Sequence, residues 1–143
     1  MSVESARNDL GEMMERLGRN AVAAAQVLAL AGTTAKNAAL SASAAAIRAG
    51  AARILEANAR DMSAARDAGL TGALLDRLAL DEKRVESMAR GIEEVAALAD
   101  PIGTIAAEWR RPNDLRIQRV RVPLGVIGII YESRPNVTAD AGA

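Results

Sequence analysis

The feature that most constrains the fold is an uninterrupted apolar run from Leu124 to Tyr131, which contains no charged side chain. Strands that are buried on both faces have this composition, and they occur mostly in parallel sheets covered by helices. A parallel strand reaches its sheet neighbour through a crossover of a dozen or more residues. Only twelve residues follow Tyr131. The run therefore predicts a strand whose sheet neighbours are encoded elsewhere, and we expect the chain to be a fragment.

The first hundred residues have the periodicity of helices. Apolar residues recur at steps of three and four over residues 3–28, which predicts one helix with a buried stripe. Gly11 and Gly18 interrupt this pattern, and each favours a bend or break because glycine costs about 1 kcal/mol in a helix relative to alanine. The Ala-rich stretch 34–67 predicts two further helices, divided near Gly50.

A turn over residues 68–72 and a short helix over 73–77 are expected next, followed by the clearest helix of the sequence. Asp81 is placed to cap this helix, and Asp100-Pro101 ends it because the residue before proline is pushed out of the helical conformation. Its predicted buried stripe is Val85, Met88, Ala89, Ile92, Val95, Ala96 and Ala99.

The character of the sequence changes after Pro101. Residues 104–109 and 114–122 alternate between apolar and polar side chains, as strands with one solvated face do, and residues 110–114 read as the turn between them. The arginines of this hairpin could form a basic patch for a phosphate-bearing ligand. A solvated face is the better interpretation, because no aromatic residues interleave with them to stack on bases.

Composition excludes several classes of function. The chain has one Trp, one Tyr and no Phe, so Ala, Leu, Val and Ile must fill the core, which favours closely packed helices. Eighteen basic residues balance eighteen acidic ones, and this balance argues against nucleic-acid or membrane partners. Cysteine and histidine are absent, so no metal site is expected. The polar N-terminus has no secretory signal, and a cytoplasmic protein is expected.

The segment Val122–Thr138, with the sequence VPLGVIGIIYESRPNVT, closely resembles the strand-and-loop signature of the gamma-glutamyl phosphate reductases (glutamate-5-semialdehyde dehydrogenases). Two shorter segments agree with it, Asn58–Asp61 and Leu74–Leu78. The resemblance extends over essentially the whole chain, at about a third of the family's usual length, and implies that the chain is an N-terminal part.

The resemblance implies an α/β fold of the aldehyde dehydrogenase superfamily. Residues 1–103 would form its helical N-terminal region, and residues 104–122 a β-hairpin that joins an oligomerisation arm in a homo-oligomer. Residues 123–143 would then supply the first strand of the cofactor-binding sheet, the signature loop and a truncated helix of the NADP-binding domain.

Members of this family reduce L-glutamyl 5-phosphate to L-glutamate 5-semialdehyde with NADPH and release phosphate, in proline biosynthesis. A cysteine thiolate displaces the phosphate to give a thioester, and that cysteine lies beyond residue 143. The resemblance therefore implies that this chain alone is inactive.

The signature loop supplies the candidate site residues. By resemblance, the side-chain amide of Asn136 would stabilise the oxyanion that forms when the acyl carbon is attacked, and such a donor typically contributes about 3–4 kcal/mol. Arg134 would bind the acyl phosphate or the carboxylate of the substrate. The residues expected to contact NADP are Ile130, Tyr131, Glu132 and Ser133.

Two alternatives to catalysis stay open at this point. Asn136 follows a proline, where asparagine is common in ordinary turns. The whole chain could also be a helical interaction or assembly module without catalysis.

Overall fold

The computed structural model describes residues 3–132 and 134–143. Six helices and two strands are formed within these ranges. They are α1 (Val3–Ala29), α2 (Thr33–Ala49), α3 (Ala51–Asp67), α4 (Ala73–Leu78), α5 (Glu82–Ala96), β1 (Ile105–Arg110), β2 (Arg116–Val120) and α6 (Val137–Gly142). The mostly helical architecture with one hairpin is the one predicted.

Contacts divide the chain into two units. The helical unit consists of Thr33–Leu98 and Ile129–Ala143, and the hairpin unit consists of the residues up to Gly32 with Ala99–Gly128. Each is described separately below.

The core of the helical unit lies where α2 packs on α5. Ala44 and Ala89 are fully buried there, beside Ile92 at 5 % exposure. Alanine at both positions lets the two helix backbones approach closely, as expected for a chain with almost no aromatic residues. Partly buried side chains complete the cluster: Leu40, Ile47 and Ala139.

Helix α5 confirms most of its sequence prediction, although it ends at Ala96, before the predicted stop at Asp100-Pro101, and leaves Ala99 outside the helix. The Asp81 carboxylate accepts a hydrogen bond from the Arg84 backbone N–H at 2.6 Å, which caps the helix. The first four residues of its predicted stripe, Val85 to Ile92, are buried, whereas Val95 is 37 % exposed. The apolar stripe of α5 is therefore buried over the first three turns of the helix.

The predicted division of the Ala-rich stretch at Gly50 is also confirmed. The Gly50 N–H donates to the Ala46 carbonyl at 2.9 Å, which ends α2. A Cβ at position 50 would lie 3.2 Å from that same carbonyl oxygen, so a larger residue would crowd the turn between α2 and α3.

In the hairpin unit, α1 differs from its prediction. It runs through Gly11 and Gly18 without a break. Its predicted buried stripe is largely solvent-exposed, with Met14 at 57 % and Leu28 at 57 %. Its C-terminal part borders a cavity of about 300 Å³. The residues that line this cavity are Ala21, Ala24, Ala25, Leu28, Ala29, Pro123, Gly125 and Val126.

The predicted hairpin is confirmed. β1 and β2 pair antiparallel with Trp109 opposite Ile117, and a register shift lies between Ile105 and Ala107. The turn closes with an Arg111 N–H bond to the Leu115 carbonyl at 2.9 Å. The Glu108 carboxylate accepts bonds from the side chains of Arg116 (2.7 Å) and Gln118 (2.6 Å) across the strands, which lower its pKa.

The strand predicted over Leu124–Tyr131 is not formed among the described residues, which offer it no sheet neighbour. No strand forms there, and its side chains face solvent, with Leu124 at 91 % and Ile130 fully exposed. A parallel strand exists only through ladder hydrogen bonds to a neighbour, and no segment among the described residues pairs with this one. Within the described part of the chain, the apolar run therefore has no strand partner, and its large side chains are about half exposed or more.

No single helix within 3–132 and 134–143 is long and apolar enough to span a bilayer. Helices α2 and α3 meet the criteria of length and hydropathy only when counted together, across a bend of 63°.

Candidate functional site

A polar cavity of about 370 Å³ in the helical unit contains the side chains that the sequence placed at the reacting end of the site. Arg134 and Asn136 both line it, with Asp140 of α6. Its other wall comes from α4, the loop after α4, and α5. These lining residues are Asp76, Arg77, Ala79, Leu80, Arg84, Ser87 and Met88.

Asn136 immediately precedes α6. Its carbonyl accepts the N–H groups of Ala139 (3.0 Å) and Asp140 (3.1 Å), which begins the helix, but its side chain makes no capping bond to the backbone. The amide Nδ2 instead donates to Asp140 Oδ2 at 2.7 Å. One N–H of the amide is thereby fixed, and the second is left for another acceptor.

Arg134 lies two residues earlier, and its carbonyl accepts the Val137 N–H at 3.1 Å. Its guanidinium lines the cavity and has no ion pair to any of the described residues. An arginine without a carboxylate partner at a cavity wall is able to bind an anionic ligand directly.

The opposite wall is held by Arg84 of α5. Its Nη2 donates to Asp76 Oδ1 at 2.8 Å, and its Nη1 donates to the carbonyl oxygens of Ala79 (2.7 Å) and Asp76. The Arg84 guanidinium therefore fixes both the end of α4 and the Asp76 carboxylate, and we call these hydrogen bonds the Arg84 clamp.

Asn58 also fixes the loop after α4, through a pair of hydrogen bonds that we call the Asn58 clamp. Asn58 of α3 is buried at 5 % exposure, and its Nδ2 donates to the Leu78 carbonyl at 2.8 Å. Its Oδ1 accepts the Leu80 N–H at 2.7 Å. Because a buried side-chain amide satisfies one donor and one acceptor of the backbone, residues 78–80 are fixed against α3.

Sequence reasoning did not assign Asp76, Arg84 or Asn58 to a site. The available signal was the pair of short segments that share the family resemblance, Asn58–Asp61 and Leu74–Leu78. The structure brings these two segments together through the Asn58 clamp on Leu78.

Three of the residues expected to bind NADP, Ile130, Tyr131 and Glu132, do not line this cavity. The Ile130 side chain is fully exposed, Glu132 is exposed, and the Tyr131 hydroxyl is 2.5 Å from the Thr138 hydroxyl. Ser133 lies outside the described residues.

A second, apolar cavity of about 510 Å³ lies in the same unit. It shares Leu80 and Met88 with the polar cavity and extends along α2 and α6 to Ala143. Within the described ranges, no group of three or more carboxylates is arranged to hold a metal ion.

No protein-family model matches the chain. It is 62 % identical over 136 residues to a gamma-glutamyl phosphate reductase of Rhodospirillum rubrum, covering 95 % of this chain and 32 % of that protein. A gamma-glutamyl phosphate reductase of Mesorhizobium japonicum is 56 % identical over 140 residues, covering 98 % and 33 %. The chain thus spans about a third of the length of these relatives.

Solved structures show the same similarity. The gamma-glutamyl phosphate reductase of Thermotoga maritima superposes with a TM-score of 0.82 at 46 % identity, over 86 % of this chain and 30 % of that one. The enzyme of the same name from Saccharomyces cerevisiae gives a TM-score of 0.82 at 34 % identity, over 88 % and 32 %. These similarities confirm the family and the fold class that the sequence indicated.

Proposed function

Because the chain belongs to the gamma-glutamyl phosphate reductase family and spans about a third of its members' length, we propose that it forms part of an oxidoreductase of proline biosynthesis. The proposed reaction is the NADPH-dependent reduction of L-glutamyl 5-phosphate to L-glutamate 5-semialdehyde, with release of phosphate. The observation that carries the proposal is the meeting of Arg134 and Asn136, from the signature loop, in one polar cavity.

Each of the two residues has a role that its environment supports. Attack on the acyl carbon develops negative charge on the carbonyl oxygen, and the second N–H of the Asn136 amide is available to donate to it. The guanidinium of Arg134, which has no ion pair with any residue that the structure describes, would bind the phosphate of the substrate before it leaves. The chain contains no cysteine, so the nucleophile that the resemblance implies belongs to another part of the enzyme.

NADPH, when bound, supplies the hydride. The contribution of this chain to its site would be the surface of Ile130, Tyr131 and Glu132, together with Ser133. The Tyr131–Thr138 hydroxyl contact would hold that surface to the first turn of α6.

The remaining parts of the proposal concern assembly and location. Residues 123–143 would begin the NADP-binding domain of an aldehyde-dehydrogenase-like enzyme, and the 104–122 hairpin would join an oligomerisation arm between subunits. Half-exposed apolar side chains on that hairpin support this role, with Ile105 at 51 % and Trp109 at 41 % exposure. We expect the enzyme to be cytoplasmic.

A protein that contains this chain and has the length of the relatives tests the proposal. It should reduce NADP⁺ when given L-glutamate 5-semialdehyde and inorganic phosphate, and omission of phosphate should abolish the signal. The 143-residue chain alone should show no turnover. Absence of phosphate-dependent activity in the longer protein would contradict the proposed function.

The non-catalytic alternative, a helical interaction or assembly module, is favoured by one observation: the chain contains neither cysteine nor histidine. It predicts a folded helical unit with no affinity for NADPH. Turnover by the 143-residue chain would exclude it, as would an active longer protein whose rate depends on Asn136.

A further inference from the structure

The polar cavity contains more charged groups than the reacting end of the substrate uses. Besides Arg134, it is lined by the guanidinium of Arg77, which also has no ion pair among the described residues. Two carboxylates line it as well. Asp76 and Asp140 each use one oxygen, for Arg84 and Asn136 respectively, which leaves each a second oxygen for a ligand.

These charges lie on two separate parts of the wall. Arg134, Asn136 and Asp140 come from the signature loop and α6, whereas Asp76 and Arg77 are neighbours on α4. The α4 part is fixed by the Arg84 and Asn58 clamps, yet the Asp76 side chain remains 74 % exposed. A carboxylate that is both held in place and accessible is suited to binding a cationic group of a ligand.

We propose that Asp76 and Arg77 bind the amino-acid end of the substrate: Arg77 its α-carboxylate and Asp76 its α-ammonium. This inference rests on the proposed function and extends it from the reacting carbon to substrate selection. L-Glutamyl 5-phosphate carries an acyl phosphate at one end and a carboxylate and an ammonium at the other. The loop side of the cavity would bind the first end, and α4 would bind the second.

The chemistry of each pair supports this assignment. A guanidinium binds a carboxylate through two parallel N–H bonds, whereas an ammonium ion needs only an oxygen acceptor of opposite charge. The volume of about 370 Å³ lies in the range of small-molecule sites. If Asp76 served only to anchor Arg84, its substitution would affect all substrates equally.

The test uses the active longer protein and three aldehydes in the oxidative direction. L-Glutamate 5-semialdehyde has both charged groups, 5-oxopentanoate lacks the ammonium, and 4-aminobutanal lacks the carboxylate. Asp76→Asn should raise KM about tenfold or more for L-glutamate 5-semialdehyde and leave it unchanged for 5-oxopentanoate. Arg77→Gln should raise KM similarly for both carboxylate-bearing aldehydes and leave it unchanged for 4-aminobutanal.

Matched controls come from the exposed face of α3. Asp61→Asn and Arg53→Gln remove the same charges outside the cavity and should leave every KM unchanged. If the Asp76 and Arg77 variants of an active enzyme changed KM equally for all three aldehydes, or did not change it, this inference would be overturned. The proposed function would still stand. Lack of activity in the unsubstituted protein would overturn the proposed function and, with it, this inference.

Discussion

The guanidinium of Arg48 on α2 donates to both carboxylate oxygens of Glu86 on α5, from Nε to Oε2 and from Nη2 to Oε1, each at 2.9 Å. The same guanidinium also donates to Glu93, which lies seven residues, or about two turns, further along α5, through Nη1 and Nη2. This forked arrangement fixes the register of α2 on α5 at the edge of the alanine contact. Hydrogen bonds from Arg48 lower the pKa of both glutamates, and they raise the pKa of Arg48.

These lowered pKa values predict an acid-sensitive helical unit. A carboxyl group whose pKa is lower in the folded state adds stability above its ordinary pKa, near 4.5 for glutamate. That stability is lost as the pH falls through the lowered value. Thermal unfolding followed by circular dichroism should therefore show a midpoint that decreases below about pH 4.

The Arg48→Met variant should unfold at a lower temperature near neutral pH and should show a weaker dependence on acid, because its glutamates have lost their partner. Arg60→Met is a matched control, since Glu56 on the same helix is the one ion-pair partner of Arg60 in the described part of the chain. If Arg48→Met kept the acid dependence of the unsubstituted chain, the pairing with Glu86 and Glu93 would not be its cause.

Asn58→Ala should destabilise the helical unit by about 1–3 kcal/mol, because the substitution leaves the Leu78 carbonyl and the Leu80 N–H without their buried partner. Urea unfolding measures the change. Asn20→Ala, at an exposed position of α1, should be neutral or slightly stabilising. Equal midpoints for the two variants would show that the clamp does not hold the loop.

Ala44→Leu should destabilise the unit by about 1–3 kcal/mol, because Ala44 is fully buried between α2 and α5 and extra methylene groups have no space there. Ala38→Leu places the same side chain on the exposed side of α2 and serves as the control. Urea midpoints of the two variants should differ clearly. A stable Ala44→Leu chain would mean that the helices are not in close contact.

Asn136→Ala, in the active longer protein, should reduce kcat by about two to three orders of magnitude, the usual loss for one oxyanion donor. Asn113→Ala removes a turn asparagine of the hairpin, outside the cavity, and should leave kcat unchanged. An unchanged rate in the Asn136 variant would mean that this residue serves only the turn that precedes α6.

Much of the fold was predictable because its signals are local. The Asp81 cap, the Gly50 division and the alternation of the hairpin each depend on a few neighbouring residues, and each is confirmed. The strand over Leu124–Tyr131 was not, since its hydrogen-bond partners must come from another segment, and composition alone does not provide them. The stripe of α1 failed for a similar reason, because burial requires a second surface.

The candidate site, like the fold, was predictable only where its residues are close together in the sequence. Arg134 and Asn136 were identified through a contiguous motif, and they do meet in one cavity. The charges that oppose them come from residues some sixty positions earlier in the chain, and only the tertiary contact between α3, α4 and α5 reveals them. The predicted contacts of Ile130, Tyr131, Glu132 and Ser133 with NADP remain predictions.

The order of elements along the chain has a consequence for biosynthesis. Ala44, Ala89 and Ile92 all precede the apolar run of Leu124–Tyr131, so translation delivers both faces of the helical core before it delivers the exposed segment. On the ribosome, helices α2 and α5 of the nascent protein could therefore pack together before the exposed apolar segment emerges. The risk of aggregation would therefore begin when that segment emerges and would last for as long as it stays uncovered.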